Sequence, residues 1–81
     1  MIVRYFAAAK AAAGAGEDVL RAATLAQALD AARAGRDARF AAVLERCSFV
    51  VDGAPVGVRD HATVALSEDS VVECLPPFAG G

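Results

Sequence analysis

Val71-Val72-Glu73-Cys74-Leu75-Pro76-Pro77-Phe78-Ala79-Gly80-Gly81 is a strand that runs straight into a tail. Val72 and Cys74 alternate against Val71, Glu73 and Leu75, the period of two that marks an extended, pleated segment. Pro76 and Pro77 then fix φ, remove two backbone donors and favour a polyproline course, so the strand stops and the chain points away from the body. Phe78 is a large apolar group beyond the fold, which reads as a docking anchor. Ala79, Gly80 and Gly81 carry almost no side chain, and glycine permits close backbone approach, so such a tip can thread a narrow channel in another protein. The group delivered there is the α-carboxylate of Gly81, ionised at neutral pH. A closing Gly-Gly arises by chance in roughly 0.5% of chains at average glycine usage, so the pair alone is weak. The whole run from strand through Pro-Pro to Gly-Gly is far more specific. Residues 1–75 read as one folded domain and residues 76–81 as an extended tail.

Upstream of that strand the chain alternates between strand and helix signals. At the start, Ile2, Arg4 and Phe6 fall on one face and Met1, Val3 and Tyr5 on the other, and apolar residues on both faces suit a central strand. Ala7 to Ala13 favours helix, which Gly14 and Gly16 stop. Glu17 to Ala22 reads as a second strand with Val19 inward and Glu17-Asp18 as an exposed pair. Thr24 and Gln27 form a capping box before Leu25, Ala28, Leu29 and Ala32, which recur at helical spacing and end near Arg33 and Gly35. A shorter helix starts near Asp37 with Phe40, Val43, Leu44 and Cys47 on one stripe. Phe49-Val50-Val51 then reaches the tight-turn dipeptide Asp52-Gly53. Val56 and Val58 read as a return strand, which Pro55 confines to a sheet edge or a strand start. Thr63 to Leu66 reads as a short extended piece, and Ser67-Glu68-Asp69 as a turn. The order is strand, strand, helix, helix, then two or three strands. It predicts an α+β domain: one mixed sheet of four to five strands with its helices on one face.

Composition narrows the functions open to such a domain. Eighty-one residues allow one domain that buries about 60% of its unfolded surface, which leaves little room for a spacious active-site cavity. Of the 57% hydrophobic residues, 21 are alanines, which bring little burial, leaving 25 larger apolar residues for one modest core. The net charge of −2 and the scatter of the seven arginines disfavour nucleic acid and anionic membranes as partners. No apolar run reaches the 18 or so residues needed to span a bilayer. Met1-Ile2-Val3-Arg4 lacks the charged-then-apolar order of a signal peptide, so a cytoplasmic location is expected. Cys47 and Cys74 have no C-x-x-C spacing and read as small core residues, with no metal site implied. The single histidine, His61, has no serine or cysteine that the sequence places beside it and reads as a polar loop residue. Glu68 and Asp69 read as solvated turn carboxylates, and there is no P-loop.

The terminal carboxylate is thus the remaining candidate for chemistry. It is a poor electrophile; activated by ATP as an acyl-adenylate it can accept sulfur and become a thiocarboxylate, a soft nucleophile on a thin stalk. No side chain of this protein need take part.

At these residues the chain resembles the small, sulfur-carrying subunits of molybdopterin synthase, the MoaD type of the MoaD/ThiS ubiquitin-like β-grasp proteins. The opening strand with Phe6-Ala7, the alanine-rich turn to Gly14, the Thr24 helix and the ending Pro-Pro-x-x-Gly-Gly all fit, over essentially the full chain. The resemblance implies that an E1-like enzyme adenylates Gly81 with ATP and that a persulfide protein donates sulfur to form a thiocarboxylate. The tail would then enter the large synthase subunit, whose residues do the catalysis, and pass sulfur to cyclic pyranopterin monophosphate in molybdenum cofactor biosynthesis. The chain itself would be a non-catalytic carrier with no permanently bound cofactor, in a heterotetramer built on a dimer of large subunits. Gly81 is then the carrier group and Gly80 the thin neck. Phe78, Pro76, Pro77, Leu75 and Phe6 are expected to face the partner, with Lys10 where relatives often have a basic residue. Two departures stand out. Glu68-Asp69-Ser70 replaces a frequent Asp-Gly-Asp, and Cys74-Leu75 replaces an aromatic before the prolines.

Two further classes share this ending. One is a sulfur carrier for thiazole, cysteine or tRNA thiolation, against which Pro76-Pro77 speaks. The other is a ubiquitin-like binding or conjugating module, which would join Gly81 to a lysine amine.

Overall fold

The alternation in the opening strand decides which side of the sheet is the inside. In the computed structural model, which describes residues 1–77, β1 (Ile2–Tyr5) follows the pattern read above. Met1, Val3 and Tyr5 are buried, while Ile2 is half-buried and Arg4 and Phe6 are exposed. α1 (Ala7–Ala13) begins directly after Phe6 and ends at Gly14, whose left-handed φ of 74° lets its N–H reach the Lys10 carbonyl. The chain then returns as β2 (Glu17–Val19), antiparallel to β1.

The two longer helices carry their own start signals. α2 (Leu25–Arg33) is capped by Thr24, whose Oγ1 accepts from the Gln27 N–H at 3.2 Å, while Gln27 Oε1 accepts from the Ala23 N–H at 2.9 Å. α3 (Ala38–Glu45) is capped by Asp37, which accepts from the Phe40 N–H at 3.0 Å. Such caps satisfy amides that the helix itself leaves unpaired. β3 (Ser48–Val51) and the two-residue β4 (Ala54–Pro55) form a hairpin. Its turn residues Asp52 and Gly53 both have positive φ, 50° and 82°, as a two-residue turn matching the strand twist requires. A single 3-10 turn, His61–Thr63, precedes β5 (Val71–Leu75).

The sheet order is β2-β1-β5-β3-β4, with β1 and β5 parallel at its centre and the other pairs antiparallel. This is the mixed sheet the element order predicts. Val3, Tyr5, Phe49, Val51, Val72 and Cys74 face inward against Leu25, Leu29, Phe40 and Leu44 of the helices. Ala9, Ala28 and Ala32 are fully buried as well, so part of the alanine excess sits where a helix must approach closely.

Four local expectations are corrected. Val19 points outward and is 78% exposed; the register pairs Val3 with Asp18, so Asp18 takes the inward position. Consequently only Glu17 of the Glu17-Asp18 pair is a solvent residue. Val56 is buried but Val58 is fully exposed, because pairing ends at Pro55 and Gly57 turns the chain at φ 62°. The stretch from Thr63 is a turn followed by one bridge, between Thr24 and Ala65.

Asp18 faces inward because Arg36 is there to meet it. Arg36 Nη1 and Nη2 donate to its two carboxylate oxygens at 2.6 and 3.1 Å, and the Tyr5 hydroxyl donates to Oδ2 at 2.6 Å. The same guanidinium donates to the Ala13 and Ala32 carbonyls and lies over the Tyr5 and Phe40 rings, 5.3 and 4.9 Å from their centroids. Hydrogen bonding from Arg36 holds the Asp18 carboxyl below its ordinary range, against the opposing effect of burial. Burial, reinforced by Asp18, pushes the Tyr5 phenol upward.

Replacing Arg36 with Ala leaves the Asp18 charge, about one-fifth exposed, without its cation, and is expected to cost about 2–3 kcal/mol of unfolding free energy in urea titration. Because Asp18 is more acidic folded than unfolded, its contribution is complete above its unfolded value of about 3.9 and disappears as pH falls through the folded one. The stability difference between the native chain and Asp18→Asn should therefore shrink in acid; a gap that persists at the lowest pH would contradict the account. Gly53→Ala should cost about 1 kcal/mol by the same titration, since its left-handed φ, not crowding, is the obstacle.

Candidate functional site

A parallel pair brings the carboxyl ends of its two strands to the same edge of the sheet. Here Tyr5 is in register with Cys74, and the Phe6 N–H donates to the Cys74 carbonyl at 3.3 Å. Phe6 and Leu75 therefore emerge side by side, 39% and 36% exposed, where the chain leaves the sheet. Both lie on the face turned away from the helices, together with Ile2, Arg4, Val71 and Glu73 of the same strands. Pro76 is half-buried and Pro77 exposed. Phe78, Gly80 and Gly81 lie outside the described residues.

Next to this root the backbone is held in an uncommon conformation. Ala7 has φ 48°, a left-handed value that costs an alanine about 1 kcal/mol. It turns the chain sharply from β1 into α1 and leaves Phe6 on the rim. Lys10 follows one turn on, its N–H bonded to the Phe6 carbonyl. Arg4, Phe6, Ala7, Lys10, Gly16 and Glu17 line a shallow groove beside the root. The structure thus brings Phe6, Lys10, Leu75 and Pro76 to one end of the molecule, although their sequence positions are some 65 residues apart.

Sequence reasoning passed over three contributors to this face. Val50 and Pro55 continue it through the register Glu73–Val50–Pro55, and Glu73 sits at its centre. The alternation Val71, Glu73, Leu75 carried the signal for Glu73; Pro55 read only as an edge-strand marker. Across the middle of the face, Arg4 Nε lies 3.7 Å from Glu17 Oε2.

The other chemically capable groups are quiet. Cys74 is fully buried, and burial, with a smaller effect from Cys47, pushes its thiol up to about 12. Burial also raises the half-buried Cys47, whose Sγ donates to the Val43 carbonyl at 3.3 Å. Both are therefore protonated at neutral pH. His61 packs edge-on against Phe49, ring centroids 5.2 Å apart. Among the described residues no group of three His, Cys, Asp or Glu side chains is placed to hold a metal ion. Nor is any helix there long and apolar enough to cross a membrane.

Comparison with known proteins places this arrangement. No curated protein matches the sequence. Among solved structures, the chain is similar to one from the complex of subunits 1 and 2 of molybdopterin-converting factor from Helicobacter pylori 26695. The TM-score is 0.71 at 20% identity, covering 99% of this chain and 96% of that one. It is also similar to the solution structure of the HVO 2177 protein of Haloferax volcanii, with a TM-score of 0.77 at 26% identity, covering 99% of this chain and 84% of that one. The sequence description of the ThiS family matches residues 3–81, nearly the whole length, and the chain belongs to that family.

Proposed function

We propose that the chain is the sulfur-carrying subunit of a molybdopterin synthase, with Gly81 as its carrier group. The observation that carries this reading is the tail root. The last strand is central, its partner strand ends beside it, and the segment Pro76-Pro77-Phe78-Ala79-Gly80-Gly81 continues from an apolar rim formed by Phe6 and Leu75. Membership of the ThiS family and likeness to a molybdopterin-converting factor complex agree with it.

In this reading an E1-like enzyme joins the Gly81 carboxylate to AMP, releasing pyrophosphate from ATP. A persulfide sulfur of the donor protein attacks the acyl carbon and expels AMP. A thiol then cleaves the resulting acyl disulfide, leaving the thiocarboxylate on Gly81 and a disulfide elsewhere. Gly80 and Gly81 are narrow enough to enter the large subunit, where the sulfur passes to cyclic pyranopterin monophosphate and the carboxylate returns. Phe6, Leu75, Pro76, Pro77 and Phe78 form the contact on this side, with Lys10 at its border. The chain's own thiols make poor rival carriers, as persulfides, because burial holds them in the thiol form and encloses Cys74.

Incubation with the activating enzyme, ATP and a persulfide donor should replace one oxygen by sulfur, read by intact mass and localised to Gly81 by fragmentation. An unchanged mass sinks the carrier reading. An isopeptide-linked product would instead support conjugation, and failure to restore a strain lacking the molybdopterin small subunit would point to another sulfur pathway. Deleting Gly81 should abolish loading and leave the melting temperature unchanged, since the tail follows the last strand of the core. Cys47→Ala should load normally, and an alkylating reagent should leave Cys74 unmodified until the protein is unfolded; loss of loading in Cys47→Ala would move the sulfur to a cysteine.

A further inference from the structure

The open face of the sheet is banded. Ile2, Val71 and Val19 lie at one end, Phe6 and Leu75 at the other, and Glu17, Arg4 and Glu73 form a charged row between them through the registers Arg4–Glu17 and Arg4–Glu73. The row holds two carboxylates and one guanidinium. Arg4 leans toward Glu17, at 3.7 Å, and both of those side chains are about half exposed, so that pair keeps its water. Glu73 differs. It is on a central strand, half-buried between Arg4 of β1 and Val50 of β3, and among the described residues its carboxylate has no ion-pair or hydrogen-bond partner.

We infer that Glu73 is the specificity residue of the docking face, and that the partner receiving the tail brings an arginine or lysine to meet it. The inference rests on the carrier reading above. Glu73 is two residues before Leu75 and shares its face, so any protein that grips the tail at its root covers Glu73 too. Covering it strips its water, and a carboxylate that loses water without gaining a cation opposes association. Arg4 can neutralise one neighbour only, so a single negative charge remains in the row for the partner to balance. A surface that offers an apolar or acidic group there is rejected, whereas one that offers a cation is accepted and held in register by the flanking apolar bands.

The test is calorimetric titration of the full chain with the large subunit of molybdopterin synthase from the same organism. The native chain should bind, with affinity falling as salt rises from about 0.05 to about 0.5 M. Glu73→Gln should weaken binding by about tenfold and flatten the salt dependence, and Glu73→Lys should weaken it by about a hundredfold. Both variants should keep the native melting temperature, which separates a lost contact from a lost fold. Arg4→Gln frees Glu17 as a second uncompensated carboxylate and should steepen the salt dependence. Native binding that Glu73→Gln and Glu73→Lys both leave intact overturns the inference and spares the carrier reading. Absence of native binding overturns both.

Discussion

The first and last strands of this chain lie side by side and run the same way, and the remainder of the fold is arranged to allow it. A parallel pair cannot be closed by a tight turn; its strands need a long crossover. Here everything between Tyr5 and Val71 is that crossover, comprising the three helices, the edge strand β2 and the β3–β4 hairpin. With β1 and β5 central, both have a fully buried inner row and an outer row that mixes apolar and charged groups. The same constraint makes Phe6 a neighbour of Leu75. The rim from which the tail leaves is thus a by-product of how the sheet is threaded, not a separate device.

Holding such a crossover in so small a body requires something stronger than the contact of alanine faces. Arg36 supplies it. One planar guanidinium with five donors reaches the carbonyls near the ends of α1 and α2, grips the Asp18 carboxylate of β2 and rests on two aromatic rings. Lysine could present a charge there but not that fork. The polar atoms left at two helix ends and on an inward-facing edge strand are satisfied together, and no buried side-chain polar atom in the described residues lacks a partner.

Much of this was legible locally. Alternation identified both faces of β1 and β5, capping chemistry at Thr24 marked the start of α2, and the apolar stripe from Phe40 placed the start of α3 near Asp37. Asp52-Gly53 announced its turn. The misreadings share a physical origin: a three-residue strand has no period to read, so the choice between Val19 and Asp18 depended on a register set by β1 and on an arginine 18 residues away. Val58 was placed outward by the backbone of Gly57, which sequence alternation does not report. For the candidate site, Phe6 and Leu75 could each be named from the sequence, but their adjacency could not, because it exists only once β1 and β5 pair in parallel. Glu73 was visible as a residue and silent as a feature until Arg4 was seen committed to Glu17.

The position of β5 also governs how the molecule behaves under load. A pull on the chain beyond Pro77 enters the sheet along the axis of a strand bonded on both flanks, to β1 on one side and β3 on the other. Those hydrogen bonds lie across the direction of force, so they share it in shear and must fail together. An edge strand peeled from a hairpin would instead surrender one bond at a time. Whatever load reaches the chain at Pro77 is therefore borne by two neighbouring strands at once.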